Sequence, residues 1–433
     1  MWIKIRLLKS HLVSTSLTDA MLVALATISG ILVTRLLGPH GRGEYAIVTI
    51  WPALIAAIGN LGLREAFTYE MAKGITNPAL LSGHAILIGL ALSLLGMIFG
   101  AALIPILTHR YTFELTLASI TFLLFIPTNI LAGYGLGLLQ GNQIIHEFNL
   151  VRLSVNIVYL GGVLLLWGMN KITVWNVMIT LLTASTITSV LTMILVLKRF
   201  RLRLLLDKNL VKRLVSYGIR NHIGSLSFLF NQRMDQMLMT LLISPINLGL
   251  YAAAVNVSGM ARLLSGAIGT LVFPRVAAAD VSVKRELVIL YSKINVTLTV
   301  MSGVVLILIN PWLIPTIYGS AYRSSIMTAQ ILTAAAVIVG VGVCWSGSLR
   351  GLGHPGIPAK AELVALLFTI VGLLVTLRPY GILGAALTSM AAYFVSSAIM
   401  FIQLHKLYLI GLREALFPVS LTTIYKTLIR SNF

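Results

Sequence analysis

Residues 220–235 read RNHIGSLSFLFNQRMD, an apolar stretch carrying Arg220, Asn221, His222, Ser225, Asn231, Gln232, Arg233 and Asp235. A guanidinium keeps its charge in any surroundings and can grip an anion with two parallel hydrogen bonds. Amides and hydroxyls at similar depth suit a ligand rich in hydroxyl groups. At 3.6 residues per turn, Asn221, Ser225, Phe228, Gln232 and Asp235 share one helix face. The next apolar stretch returns with Arg262 near its middle, and Ser258, Ser265 and Gly269 lie at helical spacing around it. The expected site is therefore the wall of a cavity. Arg262, Arg233 and Arg220 would hold an anion, and Asn231, Gln232, Ser258 and Ser265 would hold hydroxyls. Asp235 would take a proton or monovalent cation.

Each of these residues also has a plainer reading. A charge at mid-membrane costs roughly 2.5–3.5 kcal/mol on insertion scales, so buried charges tend to pair. Asp235 can thus be a structural partner of Arg262 or Arg233. Arg220, about a turn from a surface, can extend to lipid headgroups. Asp19 reads as a helix N-cap as readily as a functional group. Glu65, next to Arg64, and Glu70 can pair with Lys73. Arg152 and Glu362, like Glu147 and Lys360, read as helix-end charges or as contacts between lobes at an inner gate.

Other chemistries find little support. Gly351–Gly356 fits G-x-G-x-x-G, but it contains Pro355 and follows an apolar span, so it reads as a loop. There is no G-x-x-x-x-G-K-[ST], the eight His show no metal-ligand spacing, and the single Cys344 allows no disulfide framework. Nothing reads as a hydrolytic triad. Neither enzyme activity, cofactor nor metal is expected.

The elements that must position these residues follow from composition. Of 433 residues, 58% are hydrophobic and 10% charged, with mean hydropathy +0.95. A soluble surface needs roughly a quarter of its residues charged, so lipid must cover most of this chain. Twelve apolar runs emerge, each near the ~20 residues a spanning helix needs: 17–37, 44–63, 79–107, 115–138, 153–168, 173–197, 217–243, 248–274, 294–317, 326–349, 363–377 and 382–404. With both termini inside, 23 Lys and Arg fall in inner segments against six in outer ones, which sets the orientation. The net charge of +20 is thereby explained by topology, without nucleic acid.

The stretch KRFRLRLLLDKNLVKR divides the spans into two sets of six. This predicts an N-terminal lobe at 1–197, a basic cytoplasmic linker at 198–213, a C-terminal lobe at 214–404 and a cytoplasmic amphipathic tail at 405–433. The apolar piece at 416–424 is too short to span and reads as an interfacial helix. An internal repeat supports two lobes. LLGPHGRGEYA from Leu36 matches LISPINLGLYA from Leu242 at an offset of 206, aligning Pro39, Gly43 and Tyr45 with Pro245, Gly249 and Tyr251. At an offset of 210, Gly137 and Gly141 fall on Gly347 and Gly351, so one four-residue insertion reconciles the copies. Six spans per copy make the repeats parallel.

TRLLGPHGRGEYAIV…GLREAF, NQRMDQMLMTLLISPINLGLYAAAVNVSGM…AIGTLVFPRVA, GSLRGLGHPG and GILGAAL together resemble the polysaccharide-biosynthesis oligosaccharide flippases. That family belongs to the multidrug/oligosaccharidyl-lipid/polysaccharide exporter superfamily. The resemblance implies an all-α integral membrane fold, with twelve helices in two parallel-repeat six-helix lobes around a central cavity. It implies export of undecaprenyl-diphosphate-linked oligosaccharide repeat units across the cytoplasmic membrane by alternating access, for O-antigen, capsule or exopolysaccharide assembly. A cation-coupled drug or metabolite antiporter of the same superfamily is the alternative. The expected partners are the lipid-linked oligosaccharide, membrane lipids, a polysaccharide polymerase and other assembly proteins.

Overall fold

The computed structural model describes residues 2–418, with side chains except those of residues 2–13, 221, 223–225, 227–228, 264 and 270; every regular element described is a helix. The first half runs α1 (Trp2–Gly59), α2 (Leu63–Lys73), α3 (Pro78–Leu107), α4 (Phe113–Thr121), α5 (Phe125–Gly141), α6 (Ile145–Gly168) and α7 (Val174–Phe200). The second runs α8 (Lys208–Leu242), α9 (Pro245–Gly259), α10 (Leu263–Ala278), α11 (Val281–Tyr318), α12 (Ile326–Gly351), α13 (Gly356–Tyr408) and the short α14 (Leu412–Leu416). Short 3-10 segments join α4 to α5, α9 to α10 and α11 to α12.

Helix starts follow local chemistry. Asn77 accepts a hydrogen bond from the Ala79 amide at 2.9 Å ahead of Pro78, and Thr173 accepts one from Asn176 at 3.1 Å. The expected first outer loop is instead a sharp break within α1, where Gly38 adopts φ 67°, ψ 177° and Pro39 opens the next helix. Its repeat partner does the same job with a cap: Ser244 accepts from Asn247 and Pro245 takes the first helical position. Gly381 breaks α13 in the same way, at φ 53°, ψ −134°.

Among the described residues, eight helices are long and apolar enough to cross a membrane, or nine if the bent α9–α10 pair is one span. At 1.5 Å per residue, the 58 residues of α1 make about 87 Å of helix divided between two arms at Gly38, more than one ~30 Å hydrocarbon layer needs. The expected twelve crossings need α1 and α13 to count twice and the polar α8 to cross. Exposed leucines, valines and aromatics mark the lipid-facing sides; Leu94, Ile98, Val371, Val375, Leu308 and Trp312 are each at least 60% exposed.

The chain divides into two compact units, Met1–Leu226 and Ser227–Phe433. In the first, Phe67, Ile126, Ile130, Tyr134 and Leu138 centre the core. Glycines let α5 meet α2: a Cβ at Gly137 or Gly141 would stand 2.5 Å from the carbonyl oxygen of Arg64 or Thr68. In the second, Tyr291, Ile294, Trp345 and Leu349 are central, and Trp345 donates to Ser292 at 2.7 Å. Gly347 and Gly351 bring α12 against α10 with the same device, at 3.2 Å from the Gly269 carbonyl and 2.9 Å from that of Phe273. Gln143 and Gly353, 210 residues apart, both take positive φ, and each is followed by an amide that bonds back across the helix end: Ile144 to Leu139 and His354 to Leu349, both at 2.9 Å.

Several charges sit differently from expectation. Asp19 caps nothing, because α1 begins long before it; it pairs with Arg152 at 2.5 Å. Glu70 meets Arg213 at 3.7 Å, leaving Lys73 over the Tyr69 ring at 4.6 Å, since the turn of α2 aims them apart. Glu147 pairs with Arg199. Arg152 and Glu362 each bond within their own unit. Within the stretch expected as a linker, only residues 201–207 are irregular, and they lie along the start of α3. The Arg203 amide donates to Ala79 at 3.0 Å, Ser82 donates to the Arg201 carbonyl at 2.8 Å, and the Asp207 amide donates to His84 Nε2 at 3.0 Å. Phe417 is extended after α14, and most of the expected interfacial helix at 416–424 lies outside the described residues.

Candidate functional site

The α9–α10 segment bends by 52° at the turn Met260–Arg262, so the span is interrupted where Arg262 sits. Interrupted helices free backbone polar groups inside a membrane, and such breaks persist where they are buried in protein or line a cavity. Here Ser302 of α11 donates to the freed Ala261 carbonyl at 3.3 Å. Arg262 is half-buried, and both its terminal nitrogens donate to Gln232 Oε1 at 3.2 Å.

One turn further along α8, the buried Asp235 accepts from Tyr251 at 2.6 Å and from the Gln236 amide at 2.7 Å. Tyr251 also reaches Ser389 of α13 at 3.4 Å. On the same helix, Asn231 donates to Glu362, whose other oxygen accepts from Ser396 at 3.2 Å. The Asn231 side-chain oxygen is buried and, among the described residues, has no hydrogen-bond partner. Tyr393 lies within electrostatic range of Asp235, Arg262 and Glu362. Four segments thus assemble one polar cluster inside the second unit: α8, α9, the Arg262 turn and α13. A lone guanidinium beside two carboxyls, two phenols and two amides can hold an anion with the first and hydroxyls or a small cation with the rest.

The structure brings together Asn231, Gln232, Asp235 and Arg262. Arg233 is exposed and contributes to the field at Asp235. Among the described ion pairs, none joins Asp235 to Arg262, because Gln232 occupies the guanidinium and Tyr251 the carboxylate. Ser258 bonds its own helix at Val255, and Ser265 bonds Thr299 at 2.6 Å, so both hydroxyls are spent on packing. Arg220 is exposed and belongs to the other unit. The side chains of Asn221, Ser225 and Phe228 lie outside those described. Among the described residues, no three His, Cys, Asp or Glu gather as a metal-binding group.

Glu362 is the residue sequence reasoning underrated. It was expected at a helix end, yet α13 starts at Gly356, which carries Glu362 almost two turns inward. A carboxylate leading directly into the apolar run 363–377 was the available signal.

A family model described as polysaccharide biosynthesis protein matches residues 12–280, well over half of the chain. The chain belongs to that family. Among curated proteins, the chain is 22% identical over 194 residues to a "probable low-salt glycan biosynthesis flippase" of Haloferax volcanii, covering 43% of its own length. It spans 41% of that relative's length. Among solved structures, it shares its fold with a lipid II flippase in an inward closed conformation (TM-score 0.74, 16% identity, 90% of this chain and 87% of that one). It matches an inward-facing multidrug resistance transporter of the MATE family and MOP superfamily about equally well (TM-score 0.73, 15% identity, 91% and 97%). The family member described here is therefore an all-α, multi-pass membrane protein. Its named neighbours are flippases and transporters, not enzymes.

Proposed function

We propose that this chain is a flippase that moves undecaprenyl-diphosphate-linked oligosaccharide repeat units across the cytoplasmic membrane by alternating access. Its product would feed O-antigen, capsule or exopolysaccharide assembly, beside a polysaccharide polymerase and other assembly proteins. Both termini face the cytoplasm in this reading. The carrying observation is Arg262: a permanently charged guanidinium at an interrupted span, held by a neutral amide. An arginine held by the neutral Gln232 presents a charge that no contacting carboxylate offsets, whereas one in an ion pair would offer an incoming diphosphate little net attraction. Family membership and the flippase among the relatives support the cargo class.

A second reading, a cation-coupled drug or metabolite antiporter, draws on the equal fold match to a multidrug transporter. It also draws on Asp235 and Glu362, which could take a coupling cation. In the flippase reading the same Asp235 serves as the coupling group.

Complementation of surface polysaccharide in a strain lacking the gene separates the two. Arg262→Ala should reduce export at least tenfold at normal membrane abundance, and Arg262→Lys should retain part of it, because the charge remains and the two-pronged grip does not. Normal polysaccharide from Arg262→Ala would sink the cationic-site reading.

A further inference from the structure

A cavity of about 620 Å³ opens within the first unit. Five residues of α2, Arg64 to Ala72 at helical spacing, form one wall; Gln140 of α5 and Tyr217 of α8 complete it. None belongs to the cluster around Arg262. The wall is held firmly. Gly137 and Gly141 seat α5 directly on the α2 backbone, and Glu70 ties α2 to Arg213 of α8. That tie sets Tyr69 against Tyr217, whose rings stack at 4.4 Å with planes 11° apart while each remains 40% exposed. Lys73 covers the outer face of Tyr69 at 4.6 Å, so the face left for a ligand is that of Tyr217.

The polar groups at the rim are mixed. Arg64 offers donors and, among the described residues, makes no hydrogen bond or ion pair through its guanidinium. Glu65 offers acceptors, and Gln140 offers both. The Thr68 hydroxyl gives its hydrogen to the Arg64 carbonyl at 2.9 Å, which leaves its oxygen free to accept. A phosphate only accepts, and Glu65 would repel it. A sugar ring donates and accepts at every hydroxyl while presenting an apolar face of C–H groups, which matches a donor–acceptor rim beside an aromatic plate. The volume falls in the range of small-molecule sites, roughly 300–1,000 Å³.

We propose that this cavity is a carbohydrate subsite, in which Tyr217 stacks on a sugar ring of the cargo while Arg64, Glu65 and Gln140 hold its hydroxyls. This rests on the flippase reading above and adds a site for the glycan apart from that for the diphosphate.

The test places p-benzoylphenylalanine at Ala72 or Gln140 in the full-length chain in its host's membranes, with Leu95, a lipid-facing residue of α3 that is 62% exposed, as control. After irradiation, adducts are identified by mass. Carbohydrate-bearing lipid adducts at 72 and 140 but not at 95 are expected. In the Ala72-labelled chain, Tyr217→Ala should cut them roughly two- to tenfold and Tyr217→Phe should keep them, since stacking needs the ring and not the hydroxyl. Phospholipid adducts alone, or glycan adducts equally at 95, would overturn the subsite. If export requires the chain yet no glycan adduct forms at 72 or 140, the subsite is wrong and the flippase reading stands. If export does not require the chain, both fall.

Discussion

Tyr45 and Tyr251 occupy the same place in the two copies of the internal repeat, yet their hydroxyls meet different company. Tyr45 shares a 2.9 Å hydrogen bond with Tyr159 of α6, neutral to neutral. Tyr251 donates at 2.6 Å to the buried Asp235. The opening turns of α6 and α13 differ likewise: Arg152 of α6 pairs with Asp19 of α1, while Glu362 of α13 accepts from Asn231 of α8. Backbone devices were kept in both copies, including the proline start, the glycine seats and the positive-φ turn at Gln143 and Gly353. Polar occupants were not. The four-residue insertion separating the copies falls between Ala252 and Ala267, the interval that contains the broken turn and Arg262. In the first copy the corresponding stretch runs unbroken through Pro52 to Gly59. The two copies share backbone devices, and the four extra residues of the second coincide with the interruption on which the proposed anion site depends.

If the carboxylate makes the second unit the coupled one, Asp235→Asn should remove the gradient-dependent part of transport while leaving the protein in the membrane. Full gradient-dependent transport by that variant, measured in proteoliposomes, would erase the functional side of the contrast. The two tyrosines sharpen it. Tyr251→Phe takes a hydrogen bond from a buried carboxylate and should cost about 1–3 kcal/mol, against about 0.5–1.5 kcal/mol for Tyr45→Phe. Comparing the inactivation temperatures of the two purified variants under one heating rate gives the ranking, and equal losses would contradict it.

The glycine seats should differ too, though less. An alanine methyl at Gly137 would stand 2.5 Å from a backbone oxygen, and at Gly347 3.2 Å. Gly137→Ala should therefore destabilise by about 1–3 kcal/mol. At Gly347 the gain in helix propensity, up to about 1 kcal/mol, should offset most of the strain. Thermal stability of the two variants in detergent checks this order.

The smallest effect concerns the end of the second unit, where Arg285 of α11 binds Glu414 at 2.7 Å and the carbonyls of Tyr408 and Leu409 at 3.2 Å. The Gly411 amide and then Arg285 hold the Glu414 carboxyl below its ordinary value of 4.5. A depressed carboxyl stabilises above its unfolded value and loses that contribution as pH falls through the folded one. Docking of α14, followed by a fluorophore at Leu412, should weaken only in acid, below about pH 4.5. Glu414→Gln should abolish that pH dependence.

Most of the spans were legible because lipid imposes long apolar runs whose limits are set by polar ends. The helices from 78 to 200 lie within a few residues of expectation apart from α6, which begins eight residues earlier at Ile145. The break at Gly38 was read as a loop because Gly-Pro signals an interruption without saying how short it is. The helix α2 was not expected, since its apolar face is only Leu63, Ala66, Phe67 and Met71 within a charged stretch. Residue type and helical spacing predict that Gln232, Asp235 and Arg262 lie near one another, and the structure brings them together, but their hydrogen-bond partners were not legible. Whether an arginine meets an aspartate or a glutamine depends on helix rotations of a few tens of degrees, to which the pattern of polar residues is blind.

The passage from α7 to α8 is secured by its own main chain. Arg201 and Arg203 take part through peptide groups, and a Cβ at Gly83 would sit 2.1 Å from the Arg203 carbonyl oxygen. Leu204, Leu205 and Leu206, each more than half exposed, contribute little to holding it in place. The spelling of this segment is thus free to drift while its length is not. Lengthening it by one residue would pull the Asp207 amide off His84, whereas exchanging every leucine for another residue would leave each of those bonds standing.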